Sequence, residues 1–128
     1  MAEAYVVTPF LELRRSTQSD SFTMTAAWQT VYTESASCAF IFGGANIDLT
    51  NMAAGDVVDI RVRYTLLLGG TATNDDVFTF NGVQPANNKV THVGVNCTVY
   101  GVDVSMRQTA GTLRDIYAEF YDAKRRGI

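Results

Sequence analysis

Few side chains in this sequence could do covalent or acid–base chemistry, and the single histidine is considered first. A nucleophilic site of the Ser-His-Asp or Cys-His type would have to use His92, because there is no second imidazole. His92 lies beside Thr91 in a polar stretch, and neither Cys38 nor Cys97 has the sequence surroundings of a nucleophile. We therefore interpret His92 as an exposed loop histidine.

Carboxylates are more numerous, but none is marked as functional. Asn74-Asp75-Asp76 supplies only a fragment of a calcium loop and predicts a solvated turn. A pair for glycoside hydrolysis can be built from carboxylates that meet only in space, and nothing singles out Asp56 and Asp59. One histidine and two distant cysteines give no zinc spacing. The sequence thus predicts no catalytic residue, no metal and no cofactor, and a hydrolase using Asp75 or Asp76 ranks last.

Glycines and cysteines receive structural interpretations. Gly43-Gly44 and Gly69-Gly70 lack the lysine and helix that follow a phosphate-binding loop, so we predict tight turns between strands. Two buried free thiols are favoured for Cys38 and Cys97, because one pair is not a disulfide framework. Whether the two cysteines pair stays open.

The composition fits one domain, residues 1–128, whose core needs neither metal nor disulfide support. Hydrophobic residues make up 47%, and the net charge is −3. This acidic balance argues against nucleic acid as a partner, because binding phosphates requires Lys and Arg. The basic cluster Lys124-Arg125-Arg126 is either a solvated tail or a docking element for an acidic surface.

Targeting signals are not apparent. No apolar run approaches the ~18–20 residues of a membrane-spanning helix. The first residues lack the basic start and apolar stretch of a signal peptide. We expect no membrane span and synthesis in the cytosol.

Strands must position all these side chains, and the clearest predicted strand covers residues 56–68. Alternate residues of a strand point to opposite faces, and this stretch alternates apolar with polar residues. The predicted buried face comprises Val58, Ile60, Val62, Tyr64, Leu66 and Leu68. The predicted wet face comprises Asp59, Arg61, Arg63 and Thr65.

Other segments show similar patterns, with strands predicted at 22–32, 38–42, 77–80, 98–107 and 116–121. Gly55-Asp56 and the hairpin-type dipeptide Asn81-Gly82 are turn signals. No segment has the pattern of a helix of 10–15 residues. We therefore predict an all-β, single-domain antiparallel β-sandwich that is jelly-roll-like.

Three further expectations concern particular segments. Residues 1–20 are either an N-terminal arm or an edge strand. Trp28, the sole tryptophan, is expected to lie half-buried in the core. Residues 84–92 are expected to form a long polar loop.

Tyr117 and Tyr121 point outward in the last predicted strand and are candidates for a binding surface. Aromatic rings with hydroxyls suit a carbohydrate or protein partner, although ordinary sheet-face packing explains them as well. Val57, Leu67 and Val99 are apolar residues on nominally wet faces, which is expected where a partner subunit covers a sheet.

Two segments resemble a family of viral proteins. Residues 46–64, NIDLTNMAAGDVVDIRVRY, are similar to the pattern IDLxNMxxGDxVxIRVxY, and residues 102–112, VDVSMRQTAGT, are similar to VxxxQTxGT. Both resemble small β-sandwich structural proteins of phages and archaeal viruses, of the decoration (cement), turret, spike or minor capsid type. The resemblance covers about a quarter of the chain, implies a virion component and implies no catalytic residue.

The leading hypothesis is a non-enzymatic virion structural protein, such as a capsid decoration, minor capsid or spike subunit. It would act as a symmetric homo-oligomer, a trimer or pentamer, in contact with other capsid proteins. The alternative is a carbohydrate- or receptor-binding β-sandwich module that uses loops 71–76 and 84–92. The predicted oligomer or partner interface comprises Tyr117, Tyr121, Val57, Leu67, Val99, Lys124, Arg125 and Arg126.

Overall fold

The computed structural model describes residues 11–35, 40–67, 69–94, 96–98 and 100–125, and every regular element in them is a strand. The strands are β1 Leu11–Arg15, β2 Asp20–Thr23, β3 Gln29–Glu34, β4 Phe40–Asp48, β5 Val57–Tyr64, β6 Thr73–Asn81, β7 Val90–Val93, β8 Asn96–Thr98, β9 Val102–Ala110 and β10 Asp115–Arg125. All paired strands are antiparallel.

The strands form two sheets. β1 and β2 both pair with β10, and β7 and β8 both pair with β4, so each pair fills one strand position. The β10 sheet therefore has the order β1/β2–β10–β4–β7/β8, and the β5 sheet has the order β3–β9–β5–β6. Along the chain, successive strand positions lie in alternate sheets, except that β5 and β6 form a hairpin within one sheet. This is the connectivity of a jelly roll. The predicted antiparallel β-sandwich is confirmed, and the assignment of 1–128 to a single domain stays a prediction.

The hydrophobic core lies between the sheets, and β5, β9 and β10 contribute alternate residues to it. Its fully buried members from these strands are Val58, Ile60, Val104, Met106, Ile116, Ala118 and Phe120. Burial of each large apolar side chain contributes roughly 1.5–3 kcal/mol. The ring of Tyr32 on β3 reaches across to Phe42 and Phe120, with ring centroids 5.3 and 5.1 Å away.

β5 is shorter than the predicted strand, and its outer face is less exposed than expected. It ends at Tyr64, so Leu66 lies in the β5–β6 hairpin with 71% of its surface exposed. Asp59 is buried, because Thr79 on β6 and Arg107 on β9 donate hydrogen bonds to its carboxylate at 2.8 and 2.9 Å. A central strand has neighbours on both sides, and their side chains cover its outer face. Leu68 lies outside the described residues.

The predicted turn at Gly43-Gly44 is wrong, because both glycines lie inside β4. The pairing with β10 shifts there, since Tyr121 faces Gly44 whereas Asp122 faces Phe42. Gly43 is thus the extra residue of a β-bulge. Gly44 has a φ of +99°, and a Cβ atom on it would lie 2.6 Å from the carbonyl oxygen of Val93.

The predicted strand at 22–32 is two strands in different sheets. The connection at 24–28 crosses from β2 in one sheet to β3 in the other. Met24, the first residue of this connection, is fully buried in the core. Backbone hydrogen bonds fix the crossing, from Met24 N to Arg114 O at 2.9 Å and from Gln108 N to Thr25 O at 2.8 Å.

Two predicted loops contain strand residues. β6 begins at Thr73, so Asp76 lies in a strand that pairs with β5 and not in a solvated turn. His92 lies in β7 and not in a polar loop, although its side chain is exposed as predicted. Asn81-Gly82 ends β6 before the chain crosses to the other sheet, so this dipeptide closes no hairpin.

The two segments that carried the family resemblance meet at one end of the sandwich. Asp56 accepts hydrogen bonds from Ala53 N at 2.8 Å and from Arg114 Nε at 2.7 Å. Gly111 packs against Asp56 so closely that a Cβ atom would lie 2.0 Å from Asp56 Oδ1. Gln108, fully buried, donates to the carbonyl oxygens of Ala110 and Thr112 at 2.9 and 2.7 Å. The two motifs therefore contact each other and together cover this end of the sandwich.

Candidate interaction surface

The outer surface of the β10 sheet carries the tyrosines predicted to bind a partner. Cross-strand pairing places Tyr117 beside Asp48, which in turn faces Val90, and places Glu119 beside Asn46, which faces His92. We call this surface the tyrosine face; it comprises Leu13, Arg15, Asn46, Val90, His92, Tyr117, Glu119 and Tyr121.

A hydrogen-bond network links the polar members of the tyrosine face. Arg15 Nη2 donates to the hydroxyl of Tyr117, and Tyr121 donates its hydroxyl to Glu119. Arg15 Nε lies 3.3 Å from Glu119 Oε2, and Asn46 Nδ2 lies 3.4 Å from Glu119 Oε1. His92 Nδ1 extends the network, 2.6 Å from Asn46 Oδ1. Glu119 is the centre of this network.

Protonation equilibria on the tyrosine face follow from these contacts. The hydrogen bond from Tyr121, followed by those from Asn46 and Arg15, lowers the pKa of Glu119. The same bond raises the pKa of Tyr121, and the bond to Tyr117 raises the pKa of Arg15. The network therefore contains the ionised carboxylate of Glu119, the ionised guanidinium of Arg15 and the neutral phenol of Tyr121 at neutral pH.

Apolar surface surrounds the network. Leu13 is 67% exposed, Val90 is 40% exposed and Tyr117 is 39% exposed. Leu13 and Tyr121 both pack over Gly43 and are therefore neighbours. A Cβ atom added to Gly43 would lie 3.0 Å from Leu13 Cδ1 and 3.1 Å from Tyr121 Cβ. Exposed apolar and tyrosyl surface with fixed polar groups between is typical of protein interfaces.

The structure brings Tyr117 and Tyr121 together but separates the other predicted interface residues from them. Val57 begins β5, and Leu67 follows its other end in the hairpin, 73% exposed, so both belong to the β5 sheet. Lys124 and Arg125 are the last residues of β10 and pair with Glu12 and Leu11.

The backbone of Lys124 and Arg125 is therefore part of a strand, and the role of the basic cluster stays a prediction. Val99 and Arg126 lie outside the described residues, as does Cys38, so the question of a cysteine pair is not addressed by the structure.

Sequence reasoning missed a second cluster, on the outer surface of the β5 sheet. The ring of Trp28 lies against two guanidinium groups, with its centroid 4.2 Å from Arg61 Cζ and 4.3 Å from Arg107 Cζ. Trp28 is half-buried as expected, but it lies on this outer surface and not in the core. The alternation of β5 signalled the outward direction of Arg61, whereas nothing local signalled that Trp28 would cover it.

A third polar group is buried between the sheets. The hydroxyl of Tyr32 donates to Asp122 Oδ2 at 3.0 Å, and Arg14 Nε lies 3.4 Å from Asp122 Oδ1. Burial, followed by the charge of Asp122, raises the pKa of Tyr32. Asp122 continues the inward side of β10 after Ile116, Ala118 and Phe120, so alternation gives its direction, although its charge suggests a solvated residue.

Two other classes of site are absent from the described part of the chain. No group of three or more His, Cys, Asp or Glu side chains with metal-binding geometry occurs among the described residues. No described helix has the length and hydropathy of a membrane span.

Comparisons with known proteins identify a likeness of structure and none of sequence. No protein-family model matches the chain, and no curated protein matches it. Among solved structures, the chain is similar to VP2 of infectious bursal disease virus in a subviral particle, with 12% identity and a TM-score of 0.51. That match covers 91% of this chain and 34% of the VP2 chain.

Two further structures from the same virus agree. A chain of the Gx strain matches with 11% identity and a TM-score of 0.55, over 91% of this chain and 33% of that one. A mutant VP2 in derived T=1 particles matches with 14% identity and a TM-score of 0.52, over 91% and 32%.

At these identities the likeness concerns the fold alone. The narrower resemblance to phage and archaeal-virus proteins stays a prediction. The chain spans about a third of the length of the viral chains that it matches, and it therefore shares its fold with a part of a viral capsid protein.

Proposed function

We propose that this protein is a non-enzymatic structural component of a virus particle and acts as a symmetric homo-oligomer. The observation that carries the proposal is the fold match, with a TM-score of 0.55 over 91% of the chain, to a structure of infectious bursal disease virus. Double-sheet jelly rolls are a recurrent architecture of viral capsid domains. The role would be that of a capsid decoration, minor capsid or spike subunit, located in the virion.

The tyrosine face is the proposed contact between subunits. Association buries exposed apolar surface, which here is provided by Leu13, Val90 and Tyr117. The phenols of Tyr117 and Tyr121 are already held by Arg15 and Glu119. Side chains fixed before association lose little rotamer entropy when they become buried. The face is thus preorganised for a protein partner.

A closed oligomer with three or five copies is the expected arrangement, because symmetric rings use the same surfaces in every subunit. The end of β10 lies beside β1, and Lys124, Arg125 and Arg126 would reach an acidic surface of a neighbouring subunit or of another capsid protein. A second copy, with a net charge of −3, carries more acidic than basic side chains that could receive this cluster.

The decisive experiment is solution mass by light scattering across a dilution series of the wild-type protein and two variants. We expect a trimer or pentamer that persists to submicromolar concentration. Tyr117→Ala should raise the concentration of half-dissociation at least about tenfold, because interface tyrosines contribute roughly 2 kcal/mol or more. Circular dichroism should show an unchanged fold, since Tyr117 is partly exposed.

Val77→Ala is the matched control. Val77 is 47% exposed on β6, in the other sheet, so its truncation removes exposed apolar surface away from the tyrosine face. A wild-type protein that stays monomeric when concentrated would remove the homo-oligomer from the proposal. Equal weakening by the two variants would remove the tyrosine face as the contact.

A further inference from the structure

The outer surface of the β5 sheet carries three arginines, and two of them are paired. Arg63 donates from Nε and Nη2 to the carboxylate of Asp103 at 3.0 and 3.1 Å. Arg107 donates from Nε to Asp59 at 2.9 Å. Arg61 is the exception: within the described residues it forms no ion pair, and its buried Nε has no acceptor.

The surroundings of Arg61 disfavour its charge. Burial lowers the pKa of Arg61, the neighbouring charge of Arg63 lowers it further, and the opposing effect of Asp103 does not compensate. A partly desolvated guanidinium beside other cations gains stability when an anion binds to it. The position therefore favours a negatively charged ligand.

A second unpaired polar group lies beside Arg61. Ser105 on β9 is the cross-strand partner of Arg61, and its side chain is fully buried. Its Oγ atom has no hydrogen-bond partner in the described part of the protein. Buried hydroxyls are nearly always hydrogen-bonded, because they lose their bonds to water on folding. Two buried donors on adjacent strands therefore lack an acceptor among the described residues.

Trp28 adds an apolar wall to these donors. The ring is half-buried, and its centroid lies 4.2 Å from Arg61 Cζ and 4.3 Å from Arg107 Cζ. An indole face packs well against the apolar face of a sugar ring, and a guanidinium binds a carboxylate through directed N–H donors. The ring also restricts access to the buried Nε of Arg61, which favours a small ligand over an acidic segment of a protein.

The geometry points to a binding site for a small carboxylated sugar, of the uronic-acid or sialic-acid class, formed by Arg61, Ser105 and Trp28. Because Arg61 Nε and Ser105 Oγ are buried and the Trp28 ring lies against Arg61 and Arg107, the indole would swing aside as the ligand enters. The carboxylate would then accept hydrogen bonds from Arg61 and Ser105, and the sugar ring would pack against the indole face that this movement frees. This site is independent of the tyrosine face, and it differs from the loops at 71–76 and 84–92 that the sequence indicated.

The test uses the intrinsic fluorescence of Trp28, which is the sole tryptophan and so reports on this site alone. Sodium glucuronate and sodium N-acetylneuraminate are titrated into the full-length protein at constant ionic strength. Glucose, sodium acetate and sodium sulfate are titrated as controls for the sugar ring and for simple anions. We expect a saturable change with both carboxylated sugars, since the indole must shift as a ligand enters, and no saturation with the controls.

Two variants test the roles of the donors. Arg61→Gln should weaken sugar binding at least about tenfold, the loss expected for one charge-assisted contact. Ser105→Ala should weaken binding too, yet raise the melting temperature of the free protein, because it removes an unpaired buried hydroxyl. Lys89→Gln is the control, since it removes the same charge from the connection before β7 and should leave binding unchanged.

Several results would overturn the site. These are no saturable response to either sugar, an equal response to sulfate or acetate, or equal affinities of the Arg61→Gln and Lys89→Gln variants. Binding of poly-glutamate without binding of the sugars would also overturn it and would assign the surface to an acidic protein partner. Because Ser105→Ala is expected to fold more stably than the wild type, misfolding cannot explain its loss of binding.

Discussion

Asp59 and Asp122 are carboxylates buried within strands, and partners distant in the chain satisfy both of them. Thr79 and Arg107 donate to Asp59, and Tyr32 donates to Asp122. A period of two indicates which face of a strand a residue occupies, but it does not indicate whether another element covers that face. Such residues look solvated in the sequence, although they are structural.

The contact between Tyr32 and Asp122 gives a prediction for a single residue. Tyr32→Phe should lower the free energy of unfolding by about 1.5–3 kcal/mol, because the phenol is a buried donor to a charged acceptor. Urea unfolding at pH 7 measures this change, and the dependence on urea concentration should be the same as in the wild type.

Tyr121→Phe is the control for this measurement. It removes a phenol of the same size that bonds to Glu119 on the partly exposed tyrosine face. We expect a change within ~0.5 kcal/mol, as at most surface positions. If the two variants lose equal stability, the buried hydrogen bond to Asp122 stabilises the fold no more than the partly exposed one to Glu119.

Elements were predictable where alternation runs through a strand without interruption. The inward side of β5 and the outward side of β10 were identified from the sequence, because each strand places one residue in two in the core. β4 was not, since a glycine pair is a strong local turn signal. In the fold, the glycine pair instead forms a bulge opposite Tyr121. Tyr121 is 78 residues further along the chain than Gly43 (121 − 43), so a prediction from neighbouring residues cannot include this contact.

The connection between β9 and β10 gives a prediction for an element. Gly111 has a φ of +85° and lies against Asp56, whereas Gly82 has a φ of +67° and open space around it. Gly82→Ala should destabilise the protein by ~1–2 kcal/mol through backbone strain alone. Gly111→Ala should cost a further ~1–3 kcal/mol, because the added methyl group would push the β9–β10 connection away from Asp56. Chemical denaturation of both variants measures the difference, and equal losses would contradict the close contact.

At the scale of the whole molecule, the predicted interface shows what the sequence cannot supply. Tyr117 and Tyr121 share a strand and therefore a surface, which alternation alone could predict. Val57 and Leu67 were grouped with them for their chemistry, but they flank the opposite sheet. Which surfaces coincide depends on strand order, and several sandwich topologies are compatible with the same set of strands.

The stability of the molecule should depend on pH through its paired carboxylates. Hydrogen bonds from Arg114 and Ala53 lower the pKa of Asp56, and the bond from Tyr121 lowers that of Glu119. A lowered native pKa stabilises the fold above the ordinary carboxylate pKa of about 4, and this contribution is lost as the pH falls through the native value. The wild-type protein should therefore lose stability below about pH 4.

Two variants isolate this effect. Asp56→Asn and Glu119→Gln should each be less stable than the wild type at pH 7, and the difference should shrink as the pH is lowered. Urea unfolding at several pH values between neutral and acidic measures both trends. A difference that stays constant with pH would show that packing, and not ionisation, causes the loss.

The position of β10 determines the order in which the fold can be completed during synthesis. β10 pairs with β1, β2 and β4, and it follows all three in the chain. Leu11 pairs with Arg125, so this contact joins the first and the last residues that the structure describes. While a ribosome is still adding residues before 115, β1 and β2 lack the strand that satisfies their backbone, and their edges are open to other nascent chains. Such long-range pairing also predicts slow refolding. The sandwich is complete only when β10, the final strand, has paired with its neighbours.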